Sequence, residues 1–520
     1  MKSYLEHLKT TNSFVGSVNL SRKPVFRSSA IFPIFFNNYI DPNVLFLGYW
    51  LIKKSLEVTL IITIRDKKGK EILRNSLTIN QCKSYKINIK KILENIYHKN
   101  IFWGSAEFEI YSSKDLVFPF PALVINYSGK KSSTFVHTTG RIFNDFDDLR
   151  ANTAIHVPES GFDIIPNDGF DSFFSFVNGP YEFKNQILHL KIINSEKEII
   201  RKKIKLKNIL PYESCFIFFL NEKEKKFLKG NKGAVIIKHN LKGFFPRFLC
   251  GNINKEKSIT SLTHSYFDSK KVIKNAYWKN PDQKEYYDSI LTFPIFYENR
   301  GYTELALYPI YPKSDLTFDL EIYNMNGKIL QVNKSIFKIN GYLSAPKYLS
   351  ISKYINKTII NKKKIYAKLI INGKNVPSRI KVGLNIGNKN KYDVPSNVCF
   401  NAVVPNDNTK NKPSSFKWAP ILNNKNSKIV LSNFSTIKKG FKKANITLKV
   451  WREKDGKYLE KKIQIKDNGS YYFELNENKK IKSFIGKESS WVTFESDNPF
   501  INGFYFEDMG HGIIGADHVF

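Results

Sequence analysis

From Val58 to Leu73 the chain reads VTLIITIRDKKGKEIL. Apolar and polar positions alternate, break at Asp66–Lys70, and resume. Alternation with a period of two marks a strand with one buried face, and a Gly-containing break between two such runs predicts a hairpin. The phrase returns as LTFDLEIYNMNGKIL (Leu316–Leu330) and as ANITLKVWREKDGKYL (Ala444–Leu459). A weaker copy, QILHLKIINSEKEII (Gln186–Ile200), lies between the first two. The turn glycines are Gly69, Gly327 and Gly456, separated by 258 (twice 129) and 129 residues. Lys197 stands 128 residues after Gly69, where the second copy's glycine would fall. A period of this length means tandem domains, not a short-repeat solenoid.

Other elements keep the same beat. FPIFF (Phe32–Phe36) and FPIFY (Phe293–Tyr297) open two copies, and WAPILNN (Trp418–Asn424) opens the last. Late in each copy a strand leads into a turn with a proline, at Pro121, Pro246, Pro377 and Pro499. Proline suits a strand start or an edge, not a sheet centre. Each unit of roughly 130 residues therefore predicts six or seven short strands with frequent turn signals, the pattern of an antiparallel β-sandwich. The fold class is all-β: four degenerate tandem antiparallel β-sandwich units. Their expected limits are 1–150 (with an N-terminal extension), 151–275, 276–410 and 411–520. Helical periodicity is confined to short turns near Ile92–Tyr97 and Glu222–Leu228.

The hairpins DKKGK and NMNGK and the later strand pair in ESDNPFINGF give each unit a pattern that resembles immunoglobulin-like sandwich domains. It is also similar to the small sandwich of sensory rhodopsin transducers. The resemblance implies a soluble, ligand- or partner-binding sandwich rather than an enzyme, and it carries no functional residue.

Charge changes this picture less than its size suggests. Lys and Arg number 82 against 46 acidic residues, a net charge of +36. Only eleven of the 82 are Arg, and the Lys residues spread along the whole chain. Phosphate and base recognition favours Arg forks, so a generally basic surface is expected and a nucleic-acid partner is not. An acidic protein or glycan partner fits such a surface. The four Cys (Cys82, Cys215, Cys250, Cys399) lie far apart with no CxxC spacing, which excludes a zinc knuckle. The N-terminus MKSYLEHLKTTNSFVGS has charges where a signal peptide needs apolar residues, and no apolar run reaches the length of a membrane span. A cytoplasmic protein is expected.

Candidate chemistry lies at the end of each unit. His137 follows Pro121 by 16 residues, His264 follows Pro246 by 18, and His518 follows Pro499 by 19; in the third unit Cys399 follows Pro377 by 22. If the units close into a ring these residues converge, and three His with a Cys would suit a divalent soft metal. His511 and Asp517 would support them. The same spacing equally follows from a structural histidine repeated with the fold. Arg247 and Arg379, just after their prolines, offer an anion clamp or a surface ion pair. No P-loop, dinucleotide fingerprint, HExxH or nucleophile elbow occurs. No cofactor is therefore predicted beyond that metal. The reading that follows is a non-catalytic binding or scaffolding protein. A metal-dependent enzyme or sensor, and a structural appendage or phage protein, are the alternatives.

Overall fold

The computed structural model describes residues 26–114, 116, 122–129, 131–137, 140–142, 159–166, 169–244, 247–254, 259–267, 277–297, 301–360, 364–378, 380–388, 394–405, 412–423, 426–438, 442–508 and 513–520. Pro121, Pro246, Arg379 and His511 fall outside these residues.

The first unit has eight strands: β1 (Phe26–Phe36), β2 (Ile40–Leu47), β3 (Val58–Asp66), β4 (Glu71–Ile79), β5 (Ser84–Asn88), β6 (Phe102–Ser112), β7 (Val124–Gly129) and β8 (Ser133–His137). One sheet has the order β1-β6-β3-β4, the other β5-β2-β7-β8, and neighbours are antiparallel. The same two orders recur, strand for strand, in the sheets built between Glu159 and His264, between Ser289 and Ala402, and between Ser415 and His518. The fold is all-β, four two-sheet sandwiches that share these eight strands, one or two more than the sequence pattern counted; among the described residues the second unit adds Tyr266–Phe267 beside Glu159–Ile164, and the third adds a pair of Tyr277–Trp278 with Val376–Pro377. The strand the pattern did not count in the first unit is β2, whose residues are buried almost throughout and so show no alternation.

The predicted hairpins are present. Asp66 caps its turn by accepting the Lys68 and Lys70 backbone N–H bonds, and Asn194 and Asn324 do the same in the next two copies. The turn needs positive φ, which Gly69 (+86°) and Gly327 (+80°) adopt freely. Lys197 adopts it too, at φ +67°. The sequence position missing its glycine kept the conformation. The turns of the first and third units also touch the next unit: a Cβ on Gly69 would run into the Pro211 carbonyl, and one on Gly327 into that of Asp467.

The units form a closed ring. β8 lies against Ile259–His264 of the second unit and Ile513–His518 of the fourth, and Ser396–Ala402 of the third lies against both of those strands. All four are sheet edges. Meeting at a common axis, they cover one another, which removes exposed edges that would otherwise invite pairing with other chains. Apolar contacts seal the joints: Phe35 meets Phe173, Tyr366 stacks on Phe434, Phe400 meets Phe504, and Phe135 meets Tyr505. The buried cores consequently run across unit limits; one holds residues of the first, second and fourth units together.

Candidate functional site on the ring axis

Strand pairing fixes which axial residues correspond. Across the second, seventh and eighth strands of the units the rows are Leu45–Val124–His137, Ser175–Leu249–His264, Leu305–Leu384–Val398 and Val430–Phe504–His518. Three histidines thus share one structural position, and the fourth occupant is Val398, not Cys399. The offset of one residue puts Cys399 on the opposite face of its strand. There it packs against the second unit's core, close to the buried Cys250. Counting from the prolines could not detect this, because the intervening loops differ in length.

The three histidines meet. The His137 ring centroid lies 4.7 Å from that of His264 and 4.7 Å from that of His518, with Phe520 closing one side. Each Nδ1 has an oxygen partner. His137 Nδ1 lies 2.9 Å from the Asp517 carboxylate, His264 Nδ1 lies 3.0 Å from the Ser265 carbonyl, and His518 Nδ1 lies 3.0 Å from the Val519 carbonyl. An oxygen of this kind accepts the Nδ1–H, which in a neutral ring leaves the lone pair on Nε2. His264 and His518 hold identical bonds to the following residue because they hold identical places in the fold.

Electrostatics keep two of the three neutral. Burial pushes His264 well below its ordinary value, and Arg247, His137 and Lys381 nearby push the same way. His518 is lowered to about 4, chiefly by burial, with Asp517 opposing and His137 and Lys417 reinforcing the fall. Burial alone would raise the Asp517 carboxyl; its contact and hydrogen bond with His137 outweigh that and hold it below the usual carboxylate range. One ligand atom from each of His137, Asp517 and His518 lies within 4.8 Å of the other two. These are the residues able to hold a metal, with Asp517 alternatively serving as the carboxylate that orients His137.

Of the residues singled out by sequence, the structure therefore gathers His137, His264, His518 and Asp517, with Arg247 beside His264. It places Cys399 elsewhere. Lys381 and Lys417 were missed, since each sits in a strand whose counterparts offer no matching lysine to draw attention to it. Among the described residues no helix is long and apolar enough to cross a membrane.

No family model matches the chain, and no curated protein does either. Solved structures align over most of its length at very low similarity. One described as a tetra-tandem repeat in the extending region of a large adhesion protein covers 88% of this chain and 90% of its own, with 8% identity and a TM-score of 0.10. A biofilm associated protein BSP domain covers 95% of both chains, with 9% identity and a TM-score of 0.15. The resemblance to sensory rhodopsin transducers finds no support there. What the sheets themselves define is an all-β protein of tandem antiparallel repeats.

Proposed function

We propose that this chain is a non-catalytic binding or scaffolding protein whose ring presents a basic face to an acidic glycan or acidic protein partner. The observation that supports the reading is the edge strand Ile199–Ile209. Arg201, Lys203, Lys205 and Lys207 alternate along it, all exposed, while Ile200, Ile204 and Leu206 between them are half-buried. Residues two apart on a strand are about 6.8 Å apart, so the four cations form a row about 20 Å long. None has an ion pair among the described residues. A few charges suffice to keep an edge strand from pairing. The counterpart strands of the first and fourth units do so with mixed charge, Glu71 with Arg74 and Glu460 with Lys461. A row of one sign goes beyond that need and suits a linear polyanion.

The test is retention on immobilised heparin over a salt gradient. The double variant Lys203→Glu/Lys205→Glu should elute at clearly lower salt than wild type. The control Lys461→Glu/Lys462→Glu on the fourth unit, with the same charge change, should elute between them. Equal elution of the two double variants would reduce the row to part of a uniformly basic surface and remove the reading.

The axis supports a second reading, a divalent metal held by His137, Asp517 and His518. The Nδ1 atoms tied to oxygen favour it, because metal-bound histidines usually donate their other ring N–H to a carboxylate or carbonyl. The neighbouring cations Arg247, Lys381 and Lys417 oppose it, which ranks it second. Metal content of the purified protein, with and without His137→Ala and His518→Ala, tests it: stoichiometric metal lost in both variants supports a metal centre, and none in wild type leaves the histidines as structural pins of the ring.

A further inference from the structure

Between the third and fourth units lies a cavity of about 200 Å³. Its walls are mixed: Ile290, Phe400, Phe434 and Phe500 supply apolar surface, Asn401, Asn502 and several hydroxyls supply polar groups, and among the described residues the one charged lining residue is Lys417. Lys417 belongs to the opening strand of the fourth unit, Ser415–Leu422, and it lies near enough to His518 to lower that group. Among the described residues it makes no hydrogen bond and no ion pair, and the one charge acting on it is another cation, Lys412. Burial lowers its affinity for a proton, and Lys412 lowers it further. A hydroxyl lines the same cavity: Ser432, 1% exposed, has the Tyr366 hydroxyl as its neighbour.

A half-buried ammonium without a carboxylate is costly unless an anion meets it. Several features narrow what that anion is. A phosphate or sulfate brings up to two negative charges, whereas this lining holds one cation, which matches a single carboxylate. A cavity lined by aromatic rings together with polar groups, at a domain junction, matches the usual small-molecule site. An apolar cavity of about 150 Å³ accepts benzene, so 200 Å³ has room for a ring of that size with one small polar group attached.

We infer that this junction binds a small monocarboxylate with an apolar body, its carboxylate paired with Lys417 Nζ and reached by the Ser432 hydroxyl, its body against the Phe400, Phe434 and Phe500 rings. The site is distinct from the basic row on the second unit and does not rest on the polyanion reading; either can fail without the other.

Benzoate is the probe, with benzamide as its neutral counterpart of the same shape. Ligand-observed NMR titration of the full chain should show saturable benzoate binding at about 1 mM or tighter, within reach of a ligand this small. Benzamide should bind at least tenfold more weakly. Lys417→Met should abolish the preference for benzoate, and Ser432→Ala should weaken benzoate several-fold. Raising the pH through the lowered titration range of Lys417 should release benzoate from wild type while leaving benzamide unaffected, a readout that needs no variant. Equal affinity for benzoate and benzamide in the wild-type protein overturns the inference, as does the absence of saturable benzoate binding in the millimolar range.

Discussion

The axis of the ring and the outer face of its second unit are both rich in basic groups, yet the protein treats them in opposite ways. On the outer face Arg201, Lys203, Lys205 and Lys207 stand in water, without ion pairs among the described residues. At the axis His137, His264 and His518 are drawn out of water, tied through Nδ1 to oxygen acceptors, and two of them are kept neutral. The difference follows from the cost of desolvating a charge. Exposed ammonium groups need no partner. Buried imidazoles survive by giving up their proton or by sharing one with Asp517. Folding stability should therefore depend on the axis, and recognition of acidic partners on the face.

The sharpest way to break this contrast is to remove the axial carboxylate. Asp517→Ala leaves the His137 Nδ1–H without its acceptor and strips a buried acid from a region that holds Arg247, Lys381 and Lys417 nearby. Breaking a buried, charge-assisted contact by deleting one partner costs about 3 kcal/mol, read as a fall in the urea midpoint with unchanged m-value. Asp517→Asn should recover part of the loss, since an amide oxygen can accept the same bond. If Asp517→Ala costs no more than a surface substitution, the axis is not where the ring is held.

Acid gives a second, smaller effect. An unfolded histidine titrates near 6.5, whereas His518 is held to about 4. Between those values the unfolded chain takes the proton and the folded chain does not, so stability falls as the pH drops from 6.5 towards 4 and levels off below. With the side chain 31% exposed, solvent screening limits the effect to about 1–2 kcal/mol. Asp163 works against it. Burial pushes this carboxyl, which accepts from the Tyr348 hydroxyl across the joint between the second and third units, up to about 6. Its contribution is full below the unfolded value near 3.8 and is lost as the pH rises through 6, so acid favours it. Asp163→Asn should therefore steepen the acid loss, while His518→Asn should flatten it. A pH profile identical in all three proteins would mean that neither group is coupled to folding.

How much of this was legible in the chain can be judged from particular residues. The hairpins were plain, because Gly69, Gly327 and Gly456 recur on one period and the alternation around them is long. Even the exception was in place: Lys197 stands where the glycine is missing and carries the left-handed conformation at φ +67°. The three axial histidines were also found. Their meeting stayed conditional there, since ring closure depends on edge strands as far apart as the first and fourth domains. The fourth position was misassigned to Cys399 because loop lengths hide register, which only the pairing of Leu384 with Val398 reveals. Lys417 carried no signal at all. Its significance comes from a cavity whose walls are shared with the third unit, and no local pattern encodes a neighbour's walls.

Lys197 offers the third test, of about 1 kcal/mol and opposite in sign. It sits at the turn leading into the basic row, and a left-handed conformation costs a non-glycine residue about this much. Lys197→Gly should raise the urea midpoint, because the native φ suits glycine and the Asn194 cap of the turn is untouched. A destabilised variant would mean that the lysine side chain makes a compensating contact.

The smallest stability effect should come from the row itself. Lys203→Glu/Lys205→Glu changes the net charge by four units, from +36 to +32. Both side chains project into solvent from an edge strand and neither has an ion pair among the described residues. Substitutions of this kind usually move stability by less than about 0.5 kcal/mol. On a surface this basic the sign should even be slightly favourable, since Lys191, Arg201 and Lys207 lose repulsion and gain opposite charges nearby. The same variant should lose heparin retention, so one pair of substitutions separates the two regions: stability unchanged, polyanion binding reduced. If the double variant instead unfolds at markedly lower urea, the row is part of what holds the second unit together, and the division between a stabilising axis and a recognising face collapses.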